Sequence, residues 1–450
     1  MERLDLSQEL AREVLDKAKA KGATQGDVVM VEGDSFFVTV RLGEVEKISQ
    51  AQEKRLGLRL FYGNSSASAS TSDISRQAID RLVEDTINMA RFTAQDPFSG
   101  LPDASLLARD IPDMDLFDEA GSVSVDDKIA IALAAEKAAM EFDPRITNSE
   151  GAELSNQSGR VIYASTHGFC GEYYGSNFGH SVAPVASQNG SMQRDYWYSS
   201  NRKFARLDSA ESVGKRAAQR VLRRLGARKI KTCEVPIVFD PDMAASLLRN
   251  LASALSGYSL YKGASFLNGQ LDNKIASDLT TVWDDGSIPG ALGSKPFDSE
   301  GLPIAKKAVV ENGFLHSYLL DTYSGKKLNM ASTGNASRSV GEPPGVAPTN
   351  FFLAPGKQSP DAIIGSVKQG LYLTETIGFG VNLVTGDYSR GAAGIWIENG
   401  ELAYPVEEVT IAGNLKEMFQ NIEMIGNDLE MRGRIAAPTI KISKMTVAGE

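Results

Sequence analysis

Apolar positions recur along this chain with two different periods, and the alternation between them outlines the fold. From Ser7 to Ala20, Leu10, Val14 and Ala18 fall four residues apart, the spacing of one helix face, and Gly22 supplies a stop. From Asp27 to Ser72 the period drops to two in β-branched segments such as FFVTVRL and LGLRLFYG, punctuated by Gly33, Gly43 and Gly63, which predicts an antiparallel meander. Ile74, Ala78 and Leu82 restore helical spacing up to Met89, and a loop with Pro97, Pro102 and Pro112 follows. Ser124 with Asp127 has the form of a capping box and opens an alanine-rich helix to about Phe142. Arg145 to Arg206 is strand-like again. Asp208 then predicts the cap of a basic helix to Leu225, and VPIVFD reads as a buried strand. Asp240 before Pro241 starts another helix, to about Gly257, because an acceptor at the cap and a residue lacking N–H just inside suit a helix start. Beyond it the pattern is predominantly β. Asn312-Gly313 and Asn399-Gly400 predict tight hairpins, since both centre positions of such turns need positive φ.

These periods predict an α+β fold with two domains. Residues 1–226 form an N-terminal α+β domain with antiparallel strands, 227–450 a mainly β C-terminal domain, and the boundary falls between Gly226 and Glu234. A chain of 450 residues is long enough to bury two cores without disulfides. Lys and Arg number 47 against 57 Asp and Glu, a net charge of -10, which argues against nucleic acid, anionic membrane surfaces and acidic partners. The opening MERLDLSQEL has no apolar run and no stretch reaches membrane-spanning length, so a cytoplasmic location without a membrane is expected. The two cysteines, Cys170 and Cys233, are expected as reduced thiols.

Candidate chemistry is sparse. The histidines are His167, His180 and His316, none followed by Glu, and the nearest thing to a ligand pair is His167 with Cys170, whose side chains point to opposite faces if the segment is extended. No metal site is assigned. The S-x-x-K spacing occurs at Ser212/Lys215, Ser259/Lys262 and Ser324/Lys327, without the S-D-N and K-T-G elements of penicillin-recognising enzymes. Ser259 with Lys262 is the best placed of the three and supports an alternative reading as a serine hydrolase. The basic helix with Lys215, Arg216, Arg220, Arg223 and Arg224 reads as a solvated flank rather than a nucleic-acid face. The densest unusual string is TGDYSRGAAGIWIENGELAYP, Thr385 to Pro405. It reads as a Gly-rich loop whose Asp387, Tyr388, Ser389, Arg390 and Gly391 are candidates for substrate or partner binding, a structural turn being the competing reading.

That string, together with VEEVTIAGNLKEMFQNIEMIGND, PFDSEGLP and the stretch Ser317 to Asn329, resembles the TldD/TldE (PmbA) family, and within it the TldE branch. The resemblance spans nearly the whole chain. It implies a cytoplasmic peptidase of two related subunits that cuts unfolded peptides, including leader segments of modified peptides and labile antitoxins. In the catalytic TldD subunit an HExxxH helix and a later Cys bind zinc, with the Glu as base. The matching helix here reads LLRNLASALSG, with no His and no Glu, and no Cys follows Cys233. The resemblance therefore implies no catalytic residue and no cofactor in this chain, zinc in a TldD-type partner, and a role in completing the substrate chamber. A homodimeric peptide-binding protein is the alternative.

Overall fold

The computed structural model describes residues 5–118 and 123–450. Helix α1 (Gln8–Ala20) starts where Ser7 accepts a hydrogen bond from the Leu10 N–H, and buries Leu10, Val14 and Ala18. Strands β1 (Gln25–Arg41), β2 (Glu44–Tyr62) and β3 (Ser65–Thr71) form the expected antiparallel meander. Helices α2 (Arg76–Phe92) and α3 (Val125–Met140) follow, the latter capped by Ser124. Then come β4 (Ile146–Ser165), β5 (Cys170–Gln188), β6 (Ser191–Arg194), β7 (Trp197–Asn201) and α4 (Ala210–Leu222). The cap of α4 is Ser209, one residue after the expected Asp208, its hydroxyl accepting from the Ser212 N–H.

The seven strands make one sheet in which β1 pairs with β2 and β4. All four helices lie on one face. Val28, Met30, Leu56, Leu58 and Leu60 pack with α1 and α2, while Phe36, Val38, Val40 and Leu154 pack with α3 and α4. The opposite face is covered by the C-terminal half, so closely that a Cβ on Gly57 would sit 2.4 Å from the Gly341 nitrogen.

The C-terminal half starts with β8 (Cys233–Phe239) and α5 (Pro241–Ala254), where Asp240 caps Met243 and Pro241 takes the first position. The helix ends earlier than the expected Gly257 because a second short helix, α6 (Gly257–Tyr261), turns away there. Its six-stranded sheet runs Glu401–Asn414, Asp387–Glu398, Gln369–Ile377, β8, Ile440–Ala448, Ile422–Ile425. A further pairing of Thr410 to Ala412 with Thr446 to Ala448 closes five of these strands into a ring. Both Asn-Gly turns are present, with φ of 50° and 85° at Asn312 and Gly313, and 50° and 83° at Asn399 and Gly400. The result is an α+β protein with an antiparallel N-terminal sheet and a β-rich C-terminal domain.

Candidate functional site

Successive strand residues face opposite ways, so burying the even-numbered positions of β1 under the helices aims Asp27 at the C-terminal half, with Arg59 and Tyr163 beside it on β2 and β4. Asp27 is fully buried between two guanidiniums. Arg59 donates through Nε at 3.1 Å and through Nη2, and Arg338, from the C-terminal half, donates through Nη1 at 2.7 Å. Burial pushes the Asp27 carboxyl up, but the two arginines together hold it below the usual range. Arg59 also faces Glu300 at 3.7 Å, and Glu300 accepts from the Thr322 N–H at 2.8 Å. The loop that carries Glu300 is PFDSEGLP, folded around Asp298, whose carboxylate accepts from the N–H groups of Glu300, Leu302 and Ala336. That string was legible as a signature. Its part in joining the two halves was not, because the partners Asp27 and Arg338 lie 311 positions apart.

Beside this network, a cavity of about 510 Å³ opens between the β1–β4–β5 face and the loops around Leu292 to Ser299 and Ser337 to Pro348. Five cations line it: Arg160, Arg202, Lys295, Arg338 and Arg434. Arg434 is also part of the wall of a second cavity, about 340 Å³, next to Asp242 and Arg249 of α5. The two cavities thus share Arg434, and the second lies against α5. None of their basic residues was singled out by sequence, because they are scattered over the chain and the whole chain is acidic.

Among the described residues no group of three or more His, Cys, Asp and Glu is arranged to hold a metal ion. On α5, Leu247, Leu248, Leu251 and Ala252 are packed into the C-terminal core. The face of α5 turned away from the core carries Arg249, Asn250 and Ser253, a cation and two neutral side chains without His, Cys or carboxylate, so these residues do not fit a zinc ion. His167 Nδ1 lies 2.7 Å from the Pro102 carbonyl, His180 Nε2 2.8 Å from that of Asp208, and His316 stands 3.7 Å from Asp272. Cys170 and Cys233 are free thiols, and the Cys170 Sγ lies against Gln8 at 3.5 Å, not against His167. Ser259 donates its hydroxyl hydrogen to the Ser253 carbonyl at 2.8 Å, while the Lys262 ammonium stands over the rings of Tyr258 and Tyr261. The two are engaged elsewhere and do not form a nucleophile and base.

Two expectations need correction. Residues Asp387 to Gly391 are not a loop but the start of a strand, paired with Asn414 to Thr410 on one side and, from Gly391 opposite Ile377, with a second strand on the other. Gly394 serves close strand packing, since a Cβ there would meet the Tyr372 carbonyl at 2.2 Å, while Gly386 turns the chain before the strand at a φ of 89°. Asp387 accepts from Thr385 Oγ1 at 2.6 Å and Asn414 Nδ2 at 3.1 Å, bonds that lower its pKa. Tyr388 is 2% exposed and its phenol is pushed up to about 12 by burial. Ser389 is exposed, and Arg390 is partly buried with no hydrogen-bond partner at Nε. The real loop precedes them, and Ile377, Phe379 and Val384 stand out of it at 59%, 102% and 55% exposure. The second correction concerns Arg220, Arg223 and Arg224 at the end of α4, which are partly buried, whereas Lys215 and Arg216 are exposed as expected. Arg216 and Arg220 stack on Trp197, Arg220 faces Asp195 at 3.2 Å and Asp240 at 3.8 Å, and Arg224 reaches Glu375 at 2.6 Å. They join the helix to the C-terminal half.

Comparison with known proteins places these features. Family profiles described as PmbA/TldA metallopeptidase domain 1, central domain and C-terminal domain match residues 26–90, 118–225 and 232–449. Metalloprotease PmbA of Escherichia coli O157:H7 is 38% identical over 449 residues, 98% of each chain. A Metalloprotease PmbA homolog of Haemophilus influenzae is 37% identical over 430 residues, covering 95% of this chain and 93% of that one. Among solved structures, a Bacteroides thetaiotaomicron protein proposed to modulate DNA gyrase superposes with a TM-score of 0.92 at 28% identity, over 99% of this chain and all of that one. TldE from Thermococcus kodakarensis shares the fold, with a TM-score of 0.87 at 23% identity over 98% and 99% of the two chains.

Proposed function

This chain belongs to the PmbA/TldD metallopeptidase family, and we propose that it is the non-catalytic subunit of a two-chain peptidase, paired in the cytoplasm with a TldD-type subunit that carries the zinc. The observation that carries this reading is the α5 segment 247–252: it belongs to a metallopeptidase domain, yet leucine and alanine there are part of the hydrophobic core. A ligand set cannot be created at such positions by rotating side chains. The chain then contributes walls to a chamber in which unfolded peptides lie, and the cleft between its halves is the surface it offers. Extended peptide beside exposed strand edges gains main-chain hydrogen bonds without sequence preference. We assign partner contact to the exposed loop Gly378 to Gly386 together with the outward-facing Asp387 and Ser389 of the strand that follows, beside Gly391, while Tyr388 and the partly buried Arg390 support them from within.

Mixing experiments test this. The purified chain should hold no stoichiometric zinc by elemental analysis and leave casein uncut. Addition of a TldD-type subunit should give a complex on size-exclusion chromatography and chelator-sensitive cleavage. Tightly held zinc with cleavage by this chain alone, or no association at micromolar concentration, contradicts the proposal. In the second case the stable species of this chain alone, including a homodimer, would be the functional form.

A further inference from the structure

Of the five cations lining the cavity between the halves, Arg160 pairs with Glu172 and Arg338 with Asp27, while Lys295, Arg202 and Arg434 have no carboxylate within ion-pair distance among the described residues. Lys295 is partly buried, its Nζ donating to the Ala336 carbonyl at 2.9 Å, and although Asp298 and Asp284 act on it from a distance, no carboxylate lies within ion-pair distance of it among the described residues. Arg202 donates to the carbonyls of Ser176 and Leu292 at 3.1 and 2.8 Å, again without a carboxylate. Arg434 is exposed at the cavity mouth, and its guanidinium has no hydrogen bond or ion pair to any described residue. Arg338 is 4% exposed; its Nη1 is held by Asp27, which it shares with Arg59, while Nε and Nη2 have no partner. The carboxylates on the cavity wall do not compensate. Glu32 pairs with Lys54 and Glu53 with Arg55, which leaves Asp34 at the exposed rim.

Leaving donors of a buried guanidinium unsatisfied is costly, and like charges gathered in a partly dry cavity repel one another. Burial lowers the pKa of both Lys295 and Arg202, and the nearby Arg434 charge lowers both further. Such a cluster persists in a fold when a ligand of opposite charge completes it. A carboxylate suits the donors, since a planar guanidinium offers two parallel N–H groups to two oxygens. The volume, about 510 Å³, admits an amino-acid-sized group and some extended chain.

We propose that this cavity is a carboxylate-binding subsite in which Arg338 and Arg434, backed by Lys295 and Arg202, take a free α-carboxylate or an Asp or Glu side chain of a bound peptide. That a peptide brings the carboxylate rests on the function proposed above; the anion site itself does not. The acidic balance of the whole chain hides a local field of the opposite sign.

The test uses the full-length chain, fluorescence-labelled unstructured peptides, and glutarate as a small probe followed by calorimetry. Four peptides are compared: free acid or C-terminal amide, each with or without internal Asp and Glu. Binding should weaken about tenfold when the recognised carboxylate is removed, and by a similar factor in Arg434→Gln, whose side chain supports no other contact. Loss on amidation identifies the α-carboxylate, and loss on removing internal acids identifies the side chain. Arg338→Lys, which keeps a charge beside Asp27, should weaken binding while circular dichroism stays unchanged. If peptides bind with no dependence on carboxylates or on Arg434, the subsite is overturned and the peptide reading stands. If no peptide binds but glutarate does, and Arg434→Gln abolishes it, the subsite stands and the peptide reading falls. Absence of both overturns the subsite outright.

Discussion

Two carboxylates, both buried, are driven in opposite directions by their neighbours, and each gives a pH signature. Asp27 has two guanidiniums to itself, so its folded pKa lies below the unfolded value; the stability it contributes is present above that unfolded value and is lost as pH falls through the lower one. Removing its charge leaves Arg59 and Arg338 buried without it. Asp27→Asn should therefore cost about 3–5 kcal/mol near neutral pH, read as a lower urea midpoint, and should flatten the acid limb below pH ~4. Asp240 differs because burial dominates and its arginine, Arg220, lies closer to Asp195; the carboxyl is raised to about 7. The folded chain holds that proton more tightly than the unfolded chain, so this contribution is complete below the unfolded value and is lost as pH rises towards about 7. Asn caps a helix as well as Asp does. Asp240→Asn should keep α5 and remove a slope of up to about 1.4 kcal/mol per pH unit between about pH 5 and 7, measured from unfolding midpoints across pH. An unchanged slope would assign the titration to another group.

Elements pack here by close approach of small residues as much as by interlocking large ones. Helices α3 and α4 meet through Ala132, Ala135, Ala139, Ala217 and Ala218, and a Cβ at Gly214 would lie 2.4 Å from the Ala135 carbonyl oxygen. Alanine raises intrinsic helix propensity by about 1 kcal/mol over glycine. Contact with a backbone oxygen cannot be relieved by a rotamer change, so Gly214→Ala should be net destabilising, by about 1–3 kcal/mol in urea titration. Stabilisation instead would mean that the helices part at little expense. The exposed loop before Asp387 behaves oppositely, since Phe379 touches nothing that a smaller residue would leave unfilled. Phe379→Ser and Val384→Ser should keep the unfolding temperature within the small change expected of surface substitutions, about 0.5 kcal/mol, and reduce association with a TldD-type subunit on size-exclusion chromatography. Normal pairing with both replaced would place the interface elsewhere.

At the scale of the molecule, the two halves are joined through charged side chains more than through a common apolar core. Beyond the cluster of Val29, Tyr163, Phe169 and Phe297, the junction includes Asp27 with Arg338, Arg59 with Glu300, Arg220 with Asp240, Arg224 with Glu375, and Asp96 with Tyr323 and Lys327. Buried pairs of this kind are screened little by salt, whereas a ligand entering the open cleft would be screened more. Raising ionic strength should therefore weaken glutarate binding well before it lowers the unfolding temperature. The accessible surface, 19,940 Å², exceeds the roughly 16,600 Å² of a compact monomer of this mass. Projecting segments account for such an excess, among them the β1–β2 hairpin, whose residues from Glu44 to Lys54 are exposed.

What the sequence by itself determined is what depends on neighbours within a few positions. Ser7 and Asp240 mark helix starts through their own side chains, Asn312-Gly313 and Asn399-Gly400 mark turns through positive φ, and the period of two from Asp27 onward marks the meander. The separated strings also carried the family, and the want of clustered His and Cys carried the doubt about metal chemistry. Only the tertiary structure decided which polar residues share a site. Glycine-rich text at 386–394 reads as a loop until its strand partners are known, because glycine serves turns and close strand approach alike. Arg220 of α4 reads as solvated until Trp197, Asp195 and Asp240 arrive around it. Arg202, Lys295, Arg338 and Arg434 come from four separate segments and mean nothing singly in an acidic chain. Charge becomes a site only where folding removes water and brings like groups together, and that depends on contacts no local pattern contains.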